Sequence, residues 1–462
     1  MTAIFLTSPM YVNVKDPAYG AKGDGVTDDT NAISKAIASL PATIATTLNP
    51  GGIVYFPPGT YKTSGVVLNS LYNVMVLGAG SASVIAPTSG ATGIYFSGCQ
   101  RCRISSLTVD GTLFGAATGI SINGNFDGRY DNLLIKAMTG DGIFVQGDNP
   151  SFEEHYWNSI TCRANGGYGY HYQRTTSIDR GSSHFVGLKV LYDGVGTGGI
   201  YLESTLGAST IADHWFTDVI VDSYVGTYGI RIKDFVHVFF TSLWVGGTYN
   251  SASAILLEGA CYGIFFNGLY TINIGIGAGT YDISINGTSH DVLLENVILD
   301  GTASTTAAVH VGSTGANIEL GKYVLPLSTV PLTDTTSALF NRSYSLQEVP
   351  MLFVTNPSTT SGCVGLDDAS NPGNQKWIRN SNGSFQILNT AYNTTLFRVD
   401  DGGYTVVGNT LNLNGFSSLL SGSGAPGSGL GANGDYYFRQ DTPGTANQRI
   451  YVKSAGAWSG VV

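Results

Sequence analysis

A short phrase with alternating apolar positions recurs along the middle of the chain and restricts the folds that it can adopt. The phrase has a small residue, an apolar residue, a variable residue and a second apolar residue, as in Gly93-Ile94-Tyr95-Phe96. It returns about every 23 to 30 residues, and its copies begin at Gly93, Gly119, Gly142, Gly169, Gly199, Gly229, Ala254 and Asp282. This interval is typical of proteins in which each repeat is one structural unit.

A second apolar segment follows each phrase about a dozen residues later, as in Phe216/Val219/Val221. Two short strands per repeat, with no helical pattern between them, cannot bury an apolar face alone, but stacked repeats can. The sequence therefore predicts an all-β fold, a right-handed parallel β-helix. Its predicted inward column is Ile94, Ile120, Ile143, Tyr170, Ile200 and Ile230.

One helix is predicted near the N-terminus, where it can cover the open end of the β-helix. Thr27 or Asp28 can cap it, and Ile33, Ala36 and Ile37 form its apolar face. We expect a lead-in and capping helix over residues 1–50, the β-helix over 51–322, a linker over 323–350, a small antiparallel β-domain over 351–420, and a Gly/Ser link with a terminal hairpin over 421–462.

Charge and composition restrict the partners. The net charge is -10 and the isoelectric point about 5.0, so no nucleic-acid partner is expected. No apolar run is long enough to span a bilayer, and the first ten residues lack the basic start of an export signal. Cys99 and Cys102 could be half of a zinc site, but the sequence has no second pair of ligands to complete it. We therefore expect structural thiols and no metal or cofactor.

Two N-terminal motifs carry a family resemblance. Gly-Ala-x-Gly-Asp-Gly-x-Thr-Asp-Asp-Thr at Gly20–Thr30 and Gly-Gly-x-Val-x-Phe-Pro-x-Gly-x-Tyr at Gly51–Tyr61 resemble the start of the pectate-lyase-like β-helix superfamily. The resemblance covers residues 16 to about 320 and is strongest to the members used as bacteriophage tailspikes and capsule depolymerases. It specifies the fold and not the reaction, because the superfamily includes hydrolases, lyases, esterases and epimerases.

The resemblance also implies partners and a location. It implies a homotrimer in the virion tail, in contact with tail or baseplate proteins and acting outside the host on a bacterial capsular or surface polysaccharide. The hairpin at Gly434–Arg439 and Gln448–Lys453 resembles the terminal segments of phage tail fibres, which implies that the C-terminal third drives trimerisation or contacts glycan.

Two outward columns can be read from the repeat, because strand residues alternate between faces and successive rungs lie about 4.8 Å apart. Between the fourth and seventh coils these columns become aromatic, basic and acidic, as a sugar-binding groove requires. The candidate substrate-binding residues are His171, Gln173, Arg174, Tyr201, Trp215, Arg231 and Lys233.

Hydrolysis of a glycosidic bond requires two carboxyl groups, one protonated and one ionised. Glu203 is the first catalytic candidate, and Asp213, Asp179 and Glu153 are its possible partners on long loops of nearby coils. The same outward column has a second interpretation, in which Glu203, Lys233 and Glu258 only neutralise one another's charges. The sequence supports this interpretation and a catalytic role for Glu203 equally well. On this basis the sequence predicts a glycoside hydrolase that depolymerises the polysaccharide.

Two alternatives remain open. A lyase would remove the proton beside a uronate carboxyl group, and His171, Tyr201 and Arg231 can be assigned as base and cation for that reaction. No dense Asp cluster that would hold calcium for such a lyase is found in the sequence. The other alternative is an adhesin that binds glycan without turnover, although carboxylates and long loops concentrated in the same coils favour turnover.

Overall fold

The computed structural model has two compact units, residues 1–348 and 349–462. It describes residues 10–41, 51–146, 154–175, 182–193, 198–207, 213–222, 226–247, 253–272, 281–315, 317–321, 323–324, 332–334, 362–366, 376–381, 384–388, 395–400, 405–407, 419–441 and 448–461, apart from 301–306.

Within its described residues, the first unit consists of short strands and one α-helix. In chain order they are β1 (Met10–Asn13), β2 (Asp24–Asp28), α1 (Thr30–Ala38), β3 (Gly52–Phe56), β4 (Gly59–Thr63), β5 (Val66–Asn69), β6 (Val74–Gly78), a 3-10 turn (Gly80–Ala82), β7 (Ser83–Pro87), β8 (Thr92–Gln100), β9 (Arg103–Asp110), β10 (Thr118–Phe126), β11 (Gly128–Lys136), β12 (Ile143–Gln146), β13 (Glu154–Arg163), β14 (Tyr170–Arg174), β15 (Ser182–Leu191), β16 (Gly198–Ser204), β17 (Asp213–Asp222), β18 (Tyr228–Lys233), β19 (Val236–Gly246), β20 (Ser253–Glu258), β21 (Tyr262–Ile272), β22 (Tyr281–Ile285), β23 (His290–Glu295), β24 (Val297–Asp300), β25 (Ala307–Val311), β26 (Ile318–Leu320), β27 (Tyr323–Val324) and β28 (Leu332–Asp334).

These strands form two sheets, which confirms the predicted parallel β-helix. The front sheet has eleven strands, β5, β8, β10, β12, β14, β16, β18, β20, β22, β25 and β28. The other seventeen form the bent sheet. In the front sheet, Ile94, Ile120, Ile143, Tyr170, Ile200 and Ile230 pair in register and are all buried, so the predicted inward column is confirmed.

Strands of the bent sheet turn a corner at one residue with positive φ. Asp218 (φ 55°) and Ser242 (φ 59°) are examples, and glycine takes the same position at Gly187 and Gly268. In each repeat this bend separates the two parts of the second apolar segment, for example Phe216 from Val219. It therefore explains why two residues stand between them. Both parts pack inward, and Phe185, Phe216, Phe240 and Phe266 stack there with ring centroids 4.6 to 5.1 Å apart.

Helix α1 buries Ile33, Ala36 and Ile37, as predicted. Its N-cap position is Asp29, one residue later than expected, and the Asp29 side chain makes no capping bond. Instead the buried carboxylate accepts hydrogen bonds from the backbone N–H groups of Lys22 (2.7 Å) and Gly23 (2.9 Å). Asp28 accepts a bond from the backbone N–H of Thr30 (3.0 Å) and so contributes to the helix start.

The second unit contains two small sheets. One is antiparallel and consists of β29 (Gly362–Leu366), β30 (Lys376–Ser381), β31 (Ser384–Leu388), β32 (Thr395–Asp400) and β33 (Thr405–Val407). The other consists of β34 (Leu419–Gly422), β35 (Tyr436–Arg439), β36 (Ile450–Ser454) and β37 (Ala457–Gly460), and only its first pair is parallel. The predicted terminal hairpin is the antiparallel pair β35 and β36. Within the residues that the structure describes, no helix is long and apolar enough to cross a membrane.

Candidate functional site

The outward columns of the front sheet pair as the repeat predicts. Phe144, His171, Tyr201 and Arg231 lie on successive rungs, and beside them Gln173, Glu203 and Lys233 do the same. The structure therefore brings together six of the predicted residues, His171, Gln173, Tyr201, Glu203, Arg231 and Lys233.

Glu203 is held by three side chains. Its Oε1 accepts hydrogen bonds from Nε2 of Gln173 (2.5 Å) and contacts Nε2 of His171 (3.3 Å), while its Oε2 accepts a bond from the Tyr201 hydroxyl (2.6 Å). The bond from His171 is the main reason that the pKa of Glu203 falls to about 2, with further lowering by Tyr201 and Gln173 against the effect of burial. Glu203 is therefore ionised at neutral pH.

His171 lies between two carboxylates. Its Nδ1 bonds Oδ2 of Asp141 at 2.9 Å, on the side opposite Glu203. Burial alone would lower the pKa of His171, but the bonds to Asp141 and Glu203 outweigh it and raise the pKa above its ordinary value. Asp141 was not among the predicted residues because it stands in the turn before β12, outside the repeated phrase.

Two tyrosines and an arginine complete the site. The Arg231 guanidinium lies 4.8 Å from the Tyr201 ring centroid and bonds Glu258 through Nε (2.9 Å) and the Tyr168 side chain. Burial, followed by the bond to Glu203, raises the pKa of Tyr201, and burial also raises that of Tyr168. Both phenols are therefore proton donors at neutral pH. We call this group the Glu203 cluster: Asp141, Tyr168, His171, Gln173, Tyr201, Glu203, Arg231 and Glu258.

Tyr168 is the second residue that the sequence analysis missed. Its ring centroid lies 4.9 Å from that of Tyr201 and 5.2 Å from that of His171. Its backbone N–H bonds Oδ1 of Asp141 (2.7 Å), so Tyr168 and Asp141 support the cluster together. Tyr168 stands directly before the phrase that begins at Gly169, and this position in the repeat could have identified it from the sequence.

Other predicted residues lie elsewhere. Asp213 and Trp215 are on β17 of the bent sheet, where Asp213 bonds Nδ1 of His237 (2.9 Å) and Trp215 stacks on His184 (centroids 4.5 Å apart). Arg174 follows the outward Gln173, so strand alternation turns it inward, and it is 1% exposed. Asp179 and Glu153 lie outside the described residues.

Metal ligands do not gather at this site. Among the residues that the structure describes, no group of three or more His, Cys, Asp or Glu side chains is placed to hold a metal ion. The Glu203 cluster itself offers one imidazole, two phenols and three carboxylates for acid–base chemistry, and Arg231 supplies a fixed positive charge.

A family model described as rhamnogalacturonase A/epimerase, pectate lyase-like, matches residues 11–234. Residues 11–234 are thus similar to the pectate-lyase-like family. This stretch contains β2 to β18, most of β1, and every member of the Glu203 cluster except Glu258. The predicted family resemblance is thereby confirmed.

Several curated proteins are similar to parts of the chain. Mannuronan C5-epimerase AlgE1 of Azotobacter vinelandii is 30% identical over 167 residues, which are 35% of this chain and 11% of the epimerase. Alginate lyase 7 of the same organism is 40% identical over 142 residues, 27% of this chain and 15% of the lyase. The preneck appendage protein of Bacillus phage PZA is 36% identical over 136 residues, 27% of this chain and 14% of that protein. The matches thus span about a tenth to a seventh of each relative's length.

Proposed function

We propose that the pectate-lyase-like domain depolymerises a uronate-containing bacterial surface polysaccharide by β-elimination, and that the protein acts in a phage tail. The observation that carries the proposal is the Glu203 carboxylate, which bonds His171 through one oxygen and Tyr201 through the other. The Glu203 carboxylate thus joins His171, the proposed base, to Tyr201, the proposed acid. The Arg231 guanidinium lies over the Tyr201 ring.

The proposed reaction begins with His171. Its neutral imidazole takes the C5 proton of a uronate, and the substrate replaces the longer of its two contacts, the one at 3.3 Å to Glu203. Arg231, with Lys233 on the neighbouring column, pairs with the uronate carboxylate and stabilises the negative charge that develops there. The electron pair of the broken C5–H bond then forms the C4=C5 double bond.

Breaking the C4–O4 bond completes the elimination. Tyr201 donates its hydroxyl proton to the departing O4. Its raised pKa means that the phenol carries this proton at neutral pH. After the product leaves and the contact between His171 and Glu203 forms again, the proton held by His171 passes through Glu203 to Tyr201, which restores both groups. Glu203 is therefore a positioning and relay residue in this scheme.

The relatives support this choice of substrate and location. Two are named for reactions on uronate polymers, a mannuronan C5-epimerase and an alginate lyase, and the first name places its chemistry at C5. The third is a phage appendage protein, which supports a virion tail location. Homotrimer formation, expected from the resemblance, belongs to the same proposal.

Hydrolysis is the second candidate. A pKa of about 2 suits Glu203 to be the ionised member of a carboxylate pair. Of the two other carboxylates of the cluster, Glu258 bonds Arg231, and Asp141 is separated from Glu203 by the His171 ring, in the space that a sugar would need. Asp213 is engaged by His237 in the bent sheet, so a hydrolase would need its acid from another part of the chain or from a second subunit.

Product analysis separates these reactions. The full chain is incubated with polymannuronate, polygalacturonate and purified capsular polysaccharides, and product mass and ultraviolet absorbance are measured. We expect fragments that gain no water and absorb through their new conjugated double bond. Fragments that each gain one water and do not absorb would establish hydrolysis instead, and binding without fragments would establish an adhesin.

Variants assign the activity to the cluster. His171→Ala and Tyr201→Phe should each reduce kcat at least about 100-fold, because each removes a group that transfers a proton. Ser121→Ala is the matched control, since Ser121 occupies the same outward column two rungs before His171. Its activity should equal that of the wild type, and an equal loss in all three variants would contradict the assignment.

A further inference from the structure

The outward surface of the bent sheet is apolar on both sides of its corner. Before the corner, six successive rungs carry the first flank, Tyr156, His184, Trp215, Phe239, Phe265 and Leu293. After the corner, four rungs carry the second flank, Ile220, Trp244, Tyr270 and Ile298. These side chains are half-buried, except Ile298, which is 39% exposed. Exposed apolar surface of this extent marks an interaction site.

The corner between the flanks is built from small residues. From β13 to β21 it consists of Asn158, Ser159, Val186, Gly187, Thr217, Asp218, Thr241, Ser242, Asn267 and Gly268, of which only Asp218 is charged. Further carboxylates lie at the outer margins, since Asp213 stands two residues before Trp215 and Asp222 two residues after Ile220. An apolar centre with a polar rim is the usual anatomy of a protein interface.

The stacking within the first flank argues against a sugar as its ligand. The ring planes of Tyr156, His184, Trp215 and Phe239 are within 9 to 11° of their neighbours, with centroids 4.5 to 5.7 Å apart. Rings stacked in this way cover one another's faces and leave their edges outward, whereas a sugar packs its C–H groups on a free ring face. Apolar side chains of a protein can pack on ring edges.

Two different apolar faces that meet at one corner suit copies of the same chain. If the first flank of one copy packs on the second flank of the next, the contact is heterologous and repeats around an axis along the corner until the ring closes. The second flank opens into a cavity of about 550 Å³, lined by Ile220, Trp244 and Tyr270, with room for side chains of a neighbour. The two flanks together present about 700 Å², close to the area of about 800 Å² that each partner buries in a standard interface.

We infer that these two flanks form the interface between copies of this chain, with the corners of the bent sheets facing one another at the centre. The inference names the surface by which the expected homotrimer assembles, and it deepens that part of the proposed function. It does not rest on the elimination, because the Glu203 cluster lies on the front sheet. Association and activity are measured separately, so either can fail without the other.

The mass of the full chain in solution tests the inference. Light scattering after gel filtration should give a multiple of 48.5 kDa. Phe239→Lys on the first flank and Trp244→Lys on the second should each give the monomer, because a charge without a partner is costly to bury in an apolar contact. Tyr95→Lys is the matched control and should associate as the wild type does, since Tyr95 lies in the outward column of the front sheet.

A mixture of the two flank variants distinguishes this arrangement from a failure to fold. Phe239→Lys keeps an intact second flank and Trp244→Lys an intact first flank, so the mixture should form dimers with one copy of each. Misfolded variants would not pair in this way, and neither would variants of an interface between identical patches. Hydroxyl-radical footprinting should also oxidise Trp215 and Tyr270 more slowly in the assembled wild type than in the monomeric variants.

Several results would overturn the inference. They are a monomeric wild type, flank variants that associate as the wild type does, a mixture that remains monomeric, and an assembled wild type whose flank rings are oxidised as fast as those of the variants. Protection of the rings in a monomer only after polysaccharide is added would assign the flanks to glycan instead.

Discussion

At the scale of single residues, the Glu203 cluster is a set of competing charges that fix one another's protonation. His171 lies between Asp141 and Glu203, and each carboxylate raises the pKa of the ring while burial opposes them. If His171 is the base, the enzyme is inactive while the ring is protonated. The rate should therefore rise with pH as the pH passes through the raised pKa of His171.

Replacing Glu203 tests this dependence. In Glu203→Gln the ring keeps Asp141 and its burial but loses one carboxylate, so the pKa of His171 should fall. The acidic limb of the kcat/KM profile should move to lower pH, and the His171 signal in an NMR titration should move with it. Glu258→Gln is the control, because Glu258 bonds Arg231 and lies three rungs along the sheet from Gln173, which is on the strand of His171. A limb that stays in place in Glu203→Gln would remove His171 from the role of base.

The sequence predicts part of this site and not the rest, for a geometric reason. Period-two alternation and the repeat suffice to place His171, Tyr201, Glu203 and Arg231 on one face. Asp141 and Tyr168 each stand directly before a phrase, at Gly142 and Gly169, so the repeat relates them too, but the columns used for the prediction begin inside the phrase. Arg174 is predicted at the start of a surface loop, but β14 extends through this residue and the alternation turns its side chain inward.

At the scale of elements, strand β17 takes part in two different stacks. Its inward Phe216 lies between Phe185 and Phe240, with centroids 4.7 and 4.6 Å away. Its outward Trp215 lies between His184 and Phe239, with centroids 4.5 and 5.7 Å away. The same alternation that predicts the columns therefore also predicts which ring is surrounded on all sides.

Unfolding measurements can compare the two stacks. Phe216→Ala should lower the free energy of unfolding by about 3 to 5 kcal/mol, because it leaves a cavity in the core. Trp215→Ala should cost about 1 to 2 kcal/mol, since a half-buried ring loses stacking and part of its burial. Val186→Ala, at a position 53% exposed on the adjacent strand, is the control and should change little. Equal losses for Phe216 and Trp215 in urea titrations would mean that the outward stack is part of the core.

At the scale of the whole molecule, a buried carboxyl group couples stability to pH. Asp193 is fully buried, and this burial raises its pKa to about 7, although bonds from the backbone N–H groups of Asn165 (2.6 Å) and Leu191 (3.1 Å) favour the ionised form. In the unfolded chain the group titrates near 3.8. Between these two values the unfolded state releases the proton and the folded state keeps it.

The free energy of unfolding should therefore fall as pH rises from about 4 to 7, by at most about 4 kcal/mol from this group, and should change no further above that range. In Asp193→Asn this contribution is absent. Thermal melts of the two proteins across that range measure it, and the difference between them should grow in favour of the variant with rising pH. A difference that stays constant would show that Asp193 is ionised in the folded protein.

The single left-handed residue at each corner has a consequence for how such a chain can diversify. Because each coil makes the same bend and keeps the same register in both sheets, duplication or deletion of a complete coil leaves every inward residue inward and adds or removes about 4.8 Å of length. Insertion of one residue within a strand would instead turn Glu203 or His171 toward the core. Lineages of this protein should therefore differ by whole coils and by the loops between the sheets, while the strands keep their lengths.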